Sequence, residues 1–164
     1  MTATKESILF NFIQNAQLFA DDIIDLIKAI KGDSIVMTLC KSGVESIFNN
    51  GAESLLITFI KETYDHWNSI QTKNEEYFHN HLSTIFGKVG IDLIQPFQKL
   101  LKEVDNKGII IISKDDRNNI WDYIHLLIYY CILYIEKVSN VDILIDLKTY
   151  KPIFKALYIN LCKK

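Results

Sequence analysis

The sequence predicts an all-α fold, a single-domain bundle of about seven or eight helices around a central apolar helix at residues 115–137. Apolar residues recur at steps of three and four along most of the chain, the spacing that places them on one face of a helix. Helix breakers are scarce, with 2 prolines and 6 glycines in 164 residues. Only one short run, residues 107–113, has the composition of a strand.

The N-terminal third of the chain predicts amphipathic helices. The apolar pattern of residues 5–32 fits one helical face, and Asp21 and Asp22 could start a second helix after a bend. Residues 33–51 open with an Asp-Ser capping signal and predict another helix, which Gly43 weakens by about 1 kcal/mol relative to alanine.

Three helices are predicted in the middle of the chain. Residues 53–71 carry a continuous apolar face, and residues 74–90 add acidic side chains in the first turn, where the helix dipole favours them. Asp92 caps the third, residues 92–108, and Pro96 either starts this helix or kinks it.

Two further segments complete the prediction around the central helix. Residues 107–113 contain four consecutive isoleucines, and since one strand cannot make a sheet we expect an extended, buried connector. After the central helix, residues 141–150 predict a short helix. Residues 151–162 predict a last helix with Pro152 near its start.

The central helix is the most apolar part of the chain, and it raises the question of a membrane span. It has 13 uncharged residues between Asp122 and Glu136, whereas a spanning helix needs about 20. We therefore predict a buried core helix and no membrane span, with His125 on the border of its apolar stripe. The stripe that should be most buried is Ile120, Ile124, Leu127, Ile128, Cys131 and Ile135.

Length, charge and cysteine content restrict the class of protein. A chain of 164 residues is predicted to form one domain, residues 1–164. The net charge of −2 and the absence of a basic block argue against a nucleic-acid partner. The N-terminal residues lack the apolar run of a signal peptide, so we expect a protein that is not secreted. Cys40, Cys131 and Cys162 are predicted to be buried free thiols.

The strongest metal pattern consists of two carboxylate–histidine pairs at helical spacing. Glu76 with His79, and Asp122 with His125, resemble the pairs that hold di-iron centres in four-helix bundles. The remaining ligands could come from Glu62, His66, Asp21, Asp22 and Asp25. The apolar periodicity argues against this site, because Glu76 stands at a helix start like a solvated first-turn acid.

A zinc site built from histidines is the other metal candidate. His79 and His81 are two residues apart, so on a helix they face different directions. His66 is the third histidine of this group. Exposed or capping roles suit these side chains better, and no nucleotide-binding loop or hydrolase motif occurs. The sequence therefore predicts no catalytic residues, no cofactor, no metal and no enzymatic activity.

Two blocks of the sequence resemble a known group of proteins. Residues 59–78 carry an F…W…I spacing followed by an acidic pair and two aromatics, and residues 116–137 carry the run I-W-D-Y-I. Together they are similar to small uncharacterised all-α proteins of nucleocytoplasmic large DNA viruses, over residues 8–137. The resemblance implies a virus-encoded helical protein without a catalytic site, located in the virion or the host cytoplasm. It names no functional residues.

Two non-enzymatic functions follow as expectations. The first is a virion-associated or minor capsid component that contacts virion proteins or self-associates, and it predicts an exposed apolar patch. The alternative is a host-directed interaction module, such as a divergent Bcl-2-like inhibitor of apoptosis or innate signalling. A groove for amphipathic helical peptides would distinguish the alternative, although the apolar helix comes later in this chain than the central helix of that fold.

Overall fold

The computed structural model describes residues 3–31, 51–86, 98–99, 101–138 and 144–163. The all-α prediction is confirmed, and the described part contains no strand longer than an isolated bridge. Its elements are α1 (Lys5–Lys31), α2 (Ala52–Thr63), a 3-10 turn (Tyr64–His66), α3 (Trp67–Gln71), α4 (Glu75–Phe86), α5 (Lys114–Val138) and α6 (Leu147–Cys162).

The number of helices is lower than predicted. Because α2, the 3-10 turn and α3 follow one another without a break, the described part of the chain has five helices instead of seven or eight. The predicted helix at residues 33–51 lies outside the described residues except for Gly51. Of the helix predicted at residues 92–108, residues 98–99 and 101–102 are helical, but the prediction is wrong for residues 103–108, which form one arm and the turn of a hairpin. Predicted breaks that do not occur account for the rest of the difference.

The first such break is the predicted bend at Asp21 and Asp22. Helix α1 runs without interruption for 27 residues. Both aspartates are exposed, while Phe19, Ile23 and Ile27 continue the buried face through this point. The acidic pair therefore lies within one continuous helix and starts no new one.

The second break was expected between residues 141–150 and 151–162. Instead α6 is one helix that begins at Leu147, with Pro152 inside it. The side chain of Asp146 caps it by accepting a hydrogen bond of 3.1 Å from the backbone N–H of Thr149. The cap fixes the helix start five residues before the proline.

Helix α5 is the centre of the core, as predicted. It has its most extensive contacts with α1 and α6, and all the described helices contribute to one cluster of buried side chains. The predicted stripe is confirmed at its first five positions, which are buried: Ile120, Ile124, Leu127, Ile128 and Cys131. The prediction for Ile135 is wrong, because this residue is only partly buried near the end of the helix.

The predictions for the cysteines have mixed outcomes. Cys131 is a buried free thiol, and burial raises its pKa. Cys162 is exposed, because the last turn of α6 extends beyond the core, so that prediction is wrong. Cys40 lies outside the described residues. Among the helices that the structure describes, α5 included, none has the length and apolar character needed to cross a membrane.

Candidate functional site

The strand-like run at residues 107–113 forms part of a short hairpin between α4 and α5. We call residues 103–112 the 103–112 hairpin. Its two arms meet in one antiparallel bridge between Val104 and Ile110. The N–H of Asp105 donates to the carbonyl of Ile109 at 2.8 Å, and the N–H of Ile111 donates to that of Glu103 at 3.0 Å. Because these bonds flank the bridge, the N–H and C=O groups of Ile110 point away from the opposite arm.

The tip of the hairpin is fixed by local chemistry. The N–H of Gly108 donates to the carbonyl of Asp105 at 3.0 Å, and Gly108 has a φ of 79°, in the left-handed region that glycine adopts without strain. The carboxylate of Asp105 accepts from the N–H groups of Lys107 at 2.8 Å and Ile109 at 3.0 Å. This three-residue turn with a left-handed glycine is a common hairpin loop.

The hairpin corrects the prediction of a buried connector. Only Ile112 enters the core, with 2% of its surface exposed. Ile109, Ile110 and Ile111 are 61%, 40% and 42% exposed, and Val104 on the opposite arm is 48% exposed. No third strand lies beside this single-bridge ladder in the part of the chain that the structure describes, and Ile109, Ile110 and Ile111 face solvent. The result is a compact apolar surface on an ordered turn.

The first predicted metal pair is Asp122 and His125. In the structure its histidine has a structural role. His125 lies in the core and not on its border, and its Nε2–H donates to the carbonyl of Ile70 at 2.8 Å. Burial lowers the pKa of His125, and the hydrogen bond to Ile70 only partly offsets that effect. A neutral imidazole that donates to a helix end stabilises the packing of α3 on α5.

The second predicted metal pair is Glu76 and His79. Its two side chains lie in different environments. Glu76 is exposed in the first turn of α4, as its sequence context indicates. His79 is half-buried beside a cavity of about 20 Å³ that Glu75 and Arg117 also line. Burial lowers its pKa, and the positive charge of Lys102 lowers it further.

The remaining histidines form an aromatic cluster with Tyr77. His66 Nδ1 lies 2.6 Å from the hydroxyl of Tyr77, and His81 Nδ1–H donates to the Tyr77 carbonyl at 2.9 Å. The rings of Tyr77 and His81 are stacked with centroids 4.0 Å apart. The pKa of His66 is lowered, first by burial and then by the neighbouring His81. Of the three histidines in the predicted zinc group, His66 and His81 are thus in contact, between the 3-10 turn and α4. His79 is not part of this cluster.

No three histidine, cysteine or acidic side chains come together to hold a metal ion within the described ranges. Asp22 and Asp25, which were among the possible further ligands of the di-metal pattern, instead line a cleft of about 310 Å³ between α1 and α5. There the hydroxyl of Tyr123 donates to Asp22 at 2.8 Å, and its ring stacks on Phe19. Burial, and then Asp22, raise the pKa of Tyr123 to about 12, so this phenol stays protonated near neutral pH.

Comparison of the chain with protein-family models, with curated proteins and with solved structures gives no match. The candidate site is therefore the exposed apolar surface of the 103–112 hairpin, chosen from the structure alone. Sequence reasoning identified the β character of the isoleucines but placed them in the core. The run Asp105-Asn-Lys-Gly108, which has the residues of a tight turn, was the signal for a hairpin.

Proposed function

We propose that this chain is a non-enzymatic protein that acts through protein–protein contacts as a structural component of a large DNA virus particle. The exposed apolar side chains of the 103–112 hairpin are the observation that carries this proposal. Soluble chains rarely keep adjacent large apolar side chains in water unless a partner covers them. The similarity of residues 8–137 to viral helical proteins adds the viral setting.

The hairpin suits a contact surface because it is held in shape before any partner arrives. Asp105 and Gly108 fix the turn, and Ile112 anchors the arm that leads into α5. A preformed turn loses little conformational freedom on binding, so more of the apolar contact energy remains as affinity.

Location of the protein in particles tests the viral assignment. Particles purified from the native source should contain the chain, and an Ile109→Asp/Ile111→Asp variant should be incorporated less. Leu144→Asp is the matched control, because Leu144 is 96% exposed and lies outside the hairpin. A chain found only in host cytosol would contradict a structural role, as would a doubly substituted hairpin incorporated like the wild type.

The host-directed alternative gains no support from the described residues. A site for an amphipathic helical peptide needs an apolar groove that takes several side chains along one helix face. The cleft between α1 and α5 has a volume of about 310 Å³, and Asp22, Asp25 and Asp116 are among its lining residues. This acidic lining does not suit the apolar face of a helix.

A further inference from the structure

We infer that residues 109–111 form an edge strand that pairs antiparallel with the same residues of a second copy of this chain. The inference rests on the proposed function and specifies its partner and its binding mode. The observations behind it concern the backbone of the hairpin, the register that a two-fold axis requires and the charges near that register.

Among the described residues, the backbone N–H and C=O of Ile110 have no hydrogen-bond partner. In the bridge with Val104 the two hydrogen bonds belong to the flanking residues, so the N–H and C=O of Ile110 point outward. An exposed strand edge of this kind is a template for pairing with another strand. Edges that avoid such pairing carry charged residues or proline, and residues 109–112 are all isoleucine.

A second copy related by a two-fold axis at Ile110 would supply hydrogen-bond partners for the outward N–H and C=O groups of this residue. Ile110 then faces Ile110 of the second copy, and the two residues exchange both N–H···O=C bonds as a hydrogen-bonded pair. In the same register Ile109 faces Ile111 in both directions. Because the contact is isologous, the same backbone groups of both copies are paired at once.

Charge distribution permits this register. The paired strand, residues 109–111, carries no charged side chain, because Lys107 lies in the turn and Lys114 is the first residue of α5. No like charges are directly opposite within the paired strand, where they would be destabilising. The net charge of −2 leaves little long-range repulsion between copies.

The pairing should be weak in dilute solution. A stable interface buries roughly 1,200–2,000 Å² in total, and a three-residue strand edge falls well short of that. We therefore expect association that depends on concentration and that strengthens where many copies are held together, as in a particle.

Sedimentation velocity over a concentration series tests the pairing with proline substitutions. Ile110→Pro removes the outward N–H but leaves both bonds inside the hairpin, so it should abolish the dimer. Val104→Pro is the matched control. Val104 is the bridge partner of Ile110, and its own N–H points outward on the opposite edge of the hairpin. A wild-type chain that stays monomeric at every concentration would overturn the inference, and so would an Ile110→Pro variant that dimerises normally.

Cysteine cross-linking tests the register itself. In a background with Cys40 and Cys162 replaced by serine, Ile110→Cys should give an intermolecular disulfide. The Cα atoms of a hydrogen-bonded antiparallel pair are about 5.5 Å apart, within disulfide range. Val104→Cys should not cross-link. Equal cross-linking at both positions would overturn the two-fold register.

The two proposals can fail separately. If Ile109→Asp/Ile111→Asp reduces incorporation into particles but Ile110→Pro does not, the apolar surface binds another particle protein and the self-pairing is wrong. If the chain dimerises through Ile110 but is absent from particles, the pairing is retained and the virion function is wrong.

Discussion

The imidazole of His125 donates from Nε2 to the carbonyl oxygen of Ile70 at 2.8 Å. That carbonyl also accepts from the N–H of Lys73 at 3.1 Å, because it lies where α3 ends. The last carbonyls of a helix have no partner inside it, and here a side chain from the central helix supplies one. The hydrogen bond joins α5 to α3 across the core, and it explains a buried histidine in an otherwise apolar helix.

Replacing His125 should destabilise the fold. His125→Ala removes a donor to a buried carbonyl and leaves a cavity beside Trp121 and Phe154. We expect a loss of about 2–4 kcal/mol in the free energy of unfolding, measured by urea denaturation. His79→Ala is the control, because that half-buried side chain lies beside Arg117 and Glu75, away from Ile70. Equal losses for the two variants would argue against the Ile70 contact.

The protein should also become less stable in mild acid. Burial lowers the pKa of His125, and the pKa values of His66 and His79 are lowered too. The unfolded chain therefore takes up protons first, near the ordinary histidine pKa of about 6.5. Stability is full above that pH and is lost as pH falls through the lower folded pKa values.

Urea unfolding across this pH range measures the effect, and His125→Gln supplies the comparison. Glutamine keeps a donor but does not titrate, so the variant should show a smaller pH dependence than the wild type. Lys73 disfavours and Asp122 favours the protonated form of His125, and both effects are smaller than that of burial. An unfolding free energy that increases on acidification from pH 7 would show that burial does not control these histidines.

Apolar periodicity predicts the parts of the fold that depend on it. The predictions are wrong where one short pattern is compatible with two different structures. The buried positions from Ile120 to Cys131 follow from spacing alone. The acidic pair at Asp21 and Asp22 resembles a helix start, but α1 continues through it without a break, so it starts none. His125 was misplaced because its acceptor, the Ile70 carbonyl, lies 55 positions earlier in the chain and no spacing rule connects the two.

For the candidate site, the sequence does not show which segments pack beside the isoleucines of residues 109–112, and their burial depends on those segments. Four isoleucines favour an extended backbone whether they are covered or not. Their exposure depends on how many strands lie beside them, and the described residues offer a single bridge to Val104. The composition of this run therefore predicts its extended backbone but not the exposure of its side chains.

Phe154 is the aromatic side chain of α6 that is fully buried in the core. It contacts the rings of Trp67 and His125, with centroids 5.8 Å and 6.0 Å away. Phe154→Ala should cost about 3–5 kcal/mol in the free energy of unfolding, measured by urea or thermal denaturation. Ile159→Ala, on the exposed side of the same helix, should stay within about 0.5 kcal/mol of the wild type. A small loss for Phe154→Ala would mean that α6 contributes little to the core.

The phenol of Tyr123 should ionise late in an alkaline titration. Its pKa is raised to about 12, first by burial and then by the hydrogen bond to Asp22. Since the folded pKa exceeds the ordinary value of about 10, the stability linked to this group is full below pH 10 and is lost as pH rises through 12. Tyrosinate absorbance, taken as the difference between wild type and Tyr123→Phe, measures its ionisation.

Asp22→Asn separates the two causes of the raised Tyr123 pKa. The substitution removes the negative charge but not the burial, so the pKa should fall part of the way towards 10. Glu53→Gln is the matched control, because Glu53 accepts the hydrogen bond of a different phenol, Tyr134, at 2.5 Å. A Tyr123 pKa that is unchanged in Asp22→Asn, or that shifts equally in Glu53→Gln, would show that the Asp22 contact does not hold the phenol protonated.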